Sequence, residues 1–180
     1  MSTTSNIPVM GFAAYSGTGK TTLLKQLIPV LRQRGLRVGM IKHAHHGFDI
    51  DTPGKDSYEL RKAGASQTLV ASSRRVALIV EQEDERRPQL DELIGRLDSA
   101  QLDIILVEGF RHVPFPKIEL HRPSQGKPLL CLADDSVIAI ASDAPLPVHP
   151  GIDMLDLNDI AGIADFVMEY RLSYSVQSRT

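Results

Sequence analysis

Hydrophobic positions along the chain change period several times, and each change marks an element. Ile7 to Ala13 is an apolar run too short for a helix and followed at once by glycines, which predicts a buried strand. From Lys20 to Arg34, the residues Leu23, Leu24, Leu27, Ile28 and Leu31 fall on one stripe of a 3.6-residue period, predicting an amphipathic helix that Gly35 stops. Pro29 lies inside that stripe. Its missing N–H and its ring predict two helical turns with a distorted continuation. Arg37 to Lys42 returns as a strand, so the chain opens strand, helix, strand, a crossover that forces parallel pairing.

Thr52 and Pro53 read as the N-cap and first position of a short helix through SYELRKAG, with Gly64 its stop. QTLVAS at 67–72 and RVALIVE at 75–81 are rich in strand formers and only a few residues apart, which predicts an antiparallel hairpin within the sheet. Pro88 opens a helix carrying Leu90, Leu93, Ile94 and Leu97, and Leu102 to Val107 is a third buried strand. Lys117 to His121 and Val137 to Ala141 add two short strands, and Asn158 caps a last helix with Ile160, Ile163, Ala164 and Val167 on one side. The fold class is therefore α/β, a mostly parallel sheet with helices on both faces and an antiparallel hairpin. One domain over residues 7–171 is expected, with polar tails at 1–6 and 172–180, since 180 residues at 42% hydrophobic suffice for a single core.

Charge and cysteine content narrow the partners. A net charge of −2 gives no global positive field for nucleic acid or an anionic membrane, so an anion site has to be local. No run of 18 apolar residues occurs, and the single Cys131 excludes an internal disulfide or a thiolate zinc cluster; a cytoplasmic protein is expected.

That local anion site is AYSGTGKTTLLKQL, residues 14–27. It matches the phosphate-binding pattern GxxxxGK[ST] except that Ala14 replaces the first glycine. Gly17 and Gly19 let the backbone curl so that successive N–H groups point inward, and the following helix N-terminus adds partial positive charge. Gly17, Thr18, Gly19 and Lys20 would hold the phosphates, and the Thr21 hydroxyl a bridging Mg²⁺. Tyr15 stands where loops of the partition ATPase type carry an extra lysine. Mg²⁺ needs a second oxygen anchor. Glu108, closing the apolar run of IILVEG, is expected to supply it, because ligands of open α/β sheets lie at the carboxyl ends of strands; Asp103 lies at the other end of the same strand. Gly109 would leave room beside the phosphates.

KHAHHGFDID at 42–51 reaches the same end of the sheet. Lys42 and His43 are candidates for anionic ligand groups, His45 and His46 share the loop, and Asp49 and Asp51 could meet a metal through water. Lys55, Asp56, Ser57 and Arg61 lie near a helix start, where a charged surface helix would read the same way. Arg111 either stabilises phosphate charge or pairs with an acidic neighbour. The NKxD signature for guanine is absent. VIAIASD ends in Asp143, which either accepts from the guanine ring N–H groups or caps a turn before Pro145.

Taken as an ordered set, AYSGTGKTTLLKQLIP, IKHAHH, GKDSYELRKAGA and ILVEGF closely resemble the MobB family, protein B of molybdopterin-guanine dinucleotide biosynthesis, over residues 7–170. The resemblance implies a homodimeric GTP-binding protein of the P-loop NTPase fold. Such a protein assists the guanylyltransferase, protein A, that attaches GMP to molybdopterin. It also implies phosphates on Gly17, Thr18, Gly19, Lys20 and Thr21, magnesium on Thr21 and Glu108, and ligand contacts at Lys42, His43 and Asp56. The resemblance also implies slow intrinsic GTP hydrolysis, which agrees with the expectation that no glutamine stands beside the loop where one would orient water. A small-molecule kinase and a pure adaptor with structural nucleotide are the competing readings.

Overall fold

Val9–Ala13 is buried at every residue because both faces of the strand are covered. The computed structural model describes residues 7–44, 47–84, 86–147 and 151–177. In chain order the elements are β1 (Val9–Ala13), α1 (Lys20–Gln33), β2 (Val38–Lys42), α2 (Asp56–Lys62), β3 (Gln67–Ala71), β4 (Val76–Val80), α3 (Leu90–Ile94), β5 (Ile104–Glu108), β6 (Lys117–His121), β7 (Val137–Ser142), β8 (Asp153–Asp156) and α4 (Ile160–Gln177). The chain forms two compact units, one running up to His43 and resuming at Gln89, the other Ala44–Pro88. Among the described residues no helix is long and apolar enough to cross a membrane.

The larger unit is built on six strands in the order β2-β5-β1-β6-β7-β8, all parallel. Period-two alternation sends Met10, Phe12, Ile104, Leu106, Ile118 and Leu120 to one face, where they meet Leu23, Leu27 and Leu31 of α1 and Ile163 and Val167 of α4. Val9, Ile41, Ile105 and Val107 face the other way, against Leu90 and Ile94 of α3 and the rings of Phe110 and Phe115. The two-faced α/β architecture expected from the sequence is present.

β6 departs from the apolar norm. Lys117, Glu119 and His121 are all buried on it. Lys117 Nζ donates to the Val113 carbonyl (2.6 Å), Asp134 Oδ2 (3.0 Å) and Ser136 Oγ (2.6 Å), while Glu119 accepts from the backbone N–H groups of Leu130 (2.8 Å) and Cys131 (2.9 Å). A buried charge is tolerable only when partnered in this way. The consequence is architectural: the connection from β6 to β7 is fastened to the sheet at both of these residues.

Several elements differ in detail from expectation. α1 runs unbroken through Pro29, because the proline and Lys25, whose carbonyl loses its N–H partner, both lie on the exposed side where water can serve it. It ends as predicted at Gly35, at φ +89°, where the Leu36 N–H returns to the Leu31 carbonyl (3.1 Å) and the Gly35 N–H to that of Arg32 (3.0 Å). α2 begins only at Asp56, not at Pro53, since Gly54 at φ +82° leaves helical conformation first. α3 is cut to five residues at Gly95 and continues in looser turns through Leu97. α4 is capped by Asp159, whose carboxylate accepts from the Gly162 N–H (2.9 Å), rather than by Asn158, and it reaches Gln177, well into the expected tail. β8 had no sequence expectation; four residues of DMLD with exposed aspartates carry too little signal.

In the smaller unit the hairpin is antiparallel as predicted, but β3 and β4 form a sheet of their own rather than an antiparallel part of the main one. Arg61 organises this unit, donating from Nη1 to Glu81 (2.7 Å) and from Nη2 to Asp49 (2.7 Å), and its guanidinium holds the Asp49 carboxyl below the usual range.

An alanine at position 29 restores the backbone donor and removes the ring from the helix interior. Pro29→Ala is expected to raise the unfolding free energy by about 1–3 kcal/mol in chemical denaturation; no gain would show the proline to be fully compensated.

Candidate functional site

The carboxyl ends of the six strands share one edge. Strand order reverses there between β1, whose chain passes to β2 on one side, and β6 on the other, and α/β proteins bind ligands at such a switch point. The segment leaving β1 supports a cradle. Gly17 and Gly19 adopt φ of +79° and +105°, the left-handed region that only glycine enters freely, and the loop feeds directly into α1. No acidic residue occupies the first turn of α1. Lys20 folds back over the loop, its Nζ 3.1 Å from the Ala14 carbonyl and 3.5 Å from that of Tyr15. Burial depresses the Lys20 ammonium below the ordinary lysine range; Glu108 opposes the shift, and the positive charges of Arg111 and Lys42 add to it. Cations crowd this loop, and an anion would relieve them.

β5 supplies the carboxylate. Glu108 lies opposite Phe12 of β1 and Lys42 of β2 in the strand register, with Oε1 3.4 Å from Thr21 Oγ1 and Oε2 3.7 Å from Lys42 Nζ. Both Thr21 Oγ1 and Glu108 Oε1 are oxygen donors of the kind magnesium takes, but their separation exceeds by about 0.5 Å the edge of a magnesium octahedron, about 2.9 Å for bonds of 2.0–2.1 Å, so the pair would have to close to share one ion. Asp103, the other acid of the strand, is tied instead to Arg37, which donates from Nε (3.0 Å) and from its backbone N–H (2.8 Å); these bonds hold the Asp103 carboxyl below the usual range.

His43 follows Lys42, its N–H donating to the Glu108 carbonyl (2.9 Å) and its ring stacked on Phe110 at 4.9 Å. Gly109, at φ +106°, makes room for this histidine rather than for phosphates: a Cβ there would stand 2.6 Å from His43 Cβ. Among the described residues Arg111 meets no carboxylate; its guanidinium lies 5.8 Å from the Tyr15 ring centroid, with the Lys127 ammonium at 6.0 Å.

From the other side of β1 come two residues that the sequence reading missed. Arg122 directly follows β6, donates from Nε to the Thr18 carbonyl (3.0 Å) and pairs through Nη1 with Asp143 at the end of β7. Gln125 Oε1 lies 3.0 Å from Thr18 Oγ1, which also stands 2.9 Å from the Tyr15 carbonyl, so one hydroxyl proton has two acceptors. A glutamine therefore does stand beside the loop, contrary to expectation. No local pattern marks either residue, since both are more than 100 positions from the loop they touch.

The structure thus gathers Gly17, Thr18, Gly19, Lys20, Thr21, Lys42, His43 and Glu108 on one edge, with Asp143 linked to them through Arg122. Asp56 belongs to the smaller unit, and so do Asp49 and Asp51, which are engaged locally: Asp51 Oδ1 accepts from the Thr52 N–H (2.9 Å) and Ser57 Oγ (3.1 Å). His45 and His46 lie outside the described residues. Among the described residues no three His, Cys, Asp or Glu side chains cluster as metal ligands.

A parallel sheet whose central strand runs through a glycine loop into a helix is the fold of the P-loop nucleoside triphosphatases. Within that class the family model for molybdopterin guanine dinucleotide synthesis protein B, MobB, matches residues 9–143, and the chain belongs to this family. It is 56% identical over 165 residues to the molybdopterin-guanine dinucleotide biosynthesis adapter protein of Escherichia coli strain K12, covering 91% of this chain and 93% of that one. The adapter protein of the same name in Haemophilus influenzae is 44% identical over 163 residues, covering 91% and 89%. A crystal structure of Bacillus subtilis MobB has a similar fold, with a TM-score of 0.71 at 27% identity over 91% of this chain and 98% of that chain.

Gly109→Ala places a methyl group against His43 in a backbone conformation that L-residues resist. It is expected to cost about 2–4 kcal/mol in denaturant titration, whereas Gly35→Ala, with open space at its Cβ, should cost only the backbone strain of about 1–2 kcal/mol.

Proposed function

We propose that the chain is a GTP-binding adapter that assists a guanylyltransferase in attaching GMP to molybdopterin. One observation carries the nucleotide part: the glycine loop, the helix N-terminus, Lys20 and the Thr21–Glu108 oxygen pair converge at the switch point of the sheet. In this reading the N–H groups of Gly17 to Thr21 and the Lys20 ammonium hold the triphosphate, and Lys42 and His43 line its outer edge. Thr21 and Glu108 would hold Mg²⁺, which when bound neutralises phosphate charge. Asp143 would accept from the guanine ring. The adapter role draws on the family and on the names of the relatives.

Turnover is expected to be slow. Gln125, the glutamine near the loop, is already engaged with Thr18, so it is poorly placed to orient water. A small-molecule kinase would show phosphate transfer to an acceptor, and a structural-nucleotide adaptor would keep partner function in Lys20→Ala.

Self-association is part of the reading. Leu69 and Leu78 lie opposite each other in the hairpin and are 64% and 53% exposed, with Val76 beside them at 65%. Apolar side chains so exposed on a two-stranded sheet favour a second copy as cover. Light scattering should give twice the chain mass for the parent and once for Leu69→Asp/Leu78→Asp; an unchanged mass would remove the hairpin from the interface.

The nucleotide reading is tested by titrating GTP and ATP with Mg²⁺. GTP should bind in preference to ATP, and Lys20→Ala should weaken it roughly 10–100-fold. Only the protonated lysine attracts phosphate. Because its folded-state pKa is lowered, affinity for inorganic tripolyphosphate, which has no titrating nucleobase, should lose the lysine's contribution as pH rises through a value below the ordinary ~10.4, a loss absent from Lys20→Arg. ATP preference would overturn the guanine assignment.

A further inference from the structure

Arg122 reaches two places at once. Because β6 adjoins β1 on one side and β7 on the other, with His121 opposite Ser142, a residue following β6 stands between the glycine loop and Asp143. Its planar fork uses both directions: Nε holds the Thr18 carbonyl and Nη1 the Asp143 carboxylate. Nη2 lies 3.8 Å from where a Cβ on Gly19 would be, so the guanidinium lies along the loop itself. Arg122 and Asp143 are mostly shielded, at 35% and 23% side-chain exposure, which makes the contact more than a surface ion pair.

Asp143 also forms part of the wall of a cleft of about 450 Å³ beyond the carboxyl ends of β7 and β8, lined further by Leu146, Met154, Leu155, Asn158 and a second carboxylate, Asp156. Apolar walls with a few polar groups suit a flat heterocycle. A carboxylate offers about four lone-pair positions, so the arginine can hold Oδ2 while both oxygens still accept from ring N–H groups.

Resting on the nucleotide reading above, we propose that Arg122 is a positioning residue that couples the phosphate loop to this cleft. It orients Asp143 toward the N1–H and 2-amino groups of a bound guanine and braces the loop through the Thr18 carbonyl. Base recognition and phosphate binding then share one guanidinium.

The test titrates GTP, ITP and inorganic tripolyphosphate, each with Mg²⁺, into the parent, Arg122→Ala and Arg122→Lys, with thermal melting of each protein. ITP lacks the 2-amino group, so the GTP/ITP affinity ratio reports the orientation of Asp143. Failure of the parent to bind GTP and tripolyphosphate would sink the nucleotide reading itself. Given parent binding, Arg122→Ala should weaken tripolyphosphate about threefold through the lost brace on the loop, weaken GTP by more, roughly tenfold or beyond, and bring the GTP/ITP ratio close to one. Arg122→Lys should lose the ratio too, since an ammonium cannot span both partners, and it carries the comparison should the alanine variant fail to fold. A parental GTP/ITP ratio kept in the variants, or an equal loss for GTP and tripolyphosphate, would overturn the coupling and leave Arg122 as a brace for the loop alone.

Discussion

The parallel register of β1 between β5 and β6 is the constraint on which the rest depends. Phe12 lies opposite Glu108 on one side and Ile118 on the other, so the loop after β1 emerges between a carboxylate from β5 and an arginine from just beyond β6. A slip of two residues in either pairing would keep the apolar faces intact but carry Glu108 or Arg122 roughly 7 Å along the sheet. Neither could then touch the loop. Core packing and site chemistry are therefore one requirement, enforced by the same hydrogen-bond ladder.

Electrostatics at this edge favour an anion. Lys20 is pushed toward its neutral form by burial and by its cationic neighbours, against the pull of Glu108, and its ammonium donates to the Ala14 and Tyr15 carbonyls of the loop. Elsewhere the chain treats charge in the opposite way. Lys117 has three acceptors, Glu119 two backbone donors, and Arg61 two carboxylates. The difference separates structural charges, met by opposite charge or by several hydrogen bonds even where Arg61 Nε is buried without a partner, from a lysine held by carbonyls, as the proposed phosphate site requires. The structural set serves the site indirectly, because Lys117 and Glu119 fasten the connection that carries Arg122 and Gln125.

Much of this was legible in residue order. Strands β1, β2, β5, β6 and β7, helix α1, the hairpin, the glycine loop and the Thr21–Glu108 pair all follow from period, spacing and the rule that places ligands at strand ends. Elements went astray where two local signals competed. Pro53 and Gly54 compete for the start of α2, and the second prevails because a left-handed glycine cannot sit in a helix. Pro29 should break α1, yet Leu27 and Leu31, both fully buried, hold the helix on the core while the defect faces water.

What the sequence by itself determined is the chemistry of short range: a backbone that curls at Gly17 and Gly19, a lysine and a threonine in the next turn, and apolar periods that become strands and helices. Those depend on dihedral freedom and on neighbours a few residues apart, which residue order states directly. The tertiary structure alone decided that Gly109 makes way for His43, that Gln125 meets Thr18, and that Arg122 ties the loop to Asp143. Such contacts join residues tens of positions apart or more, and they exist only because strand order and register bring separate strand ends to one edge.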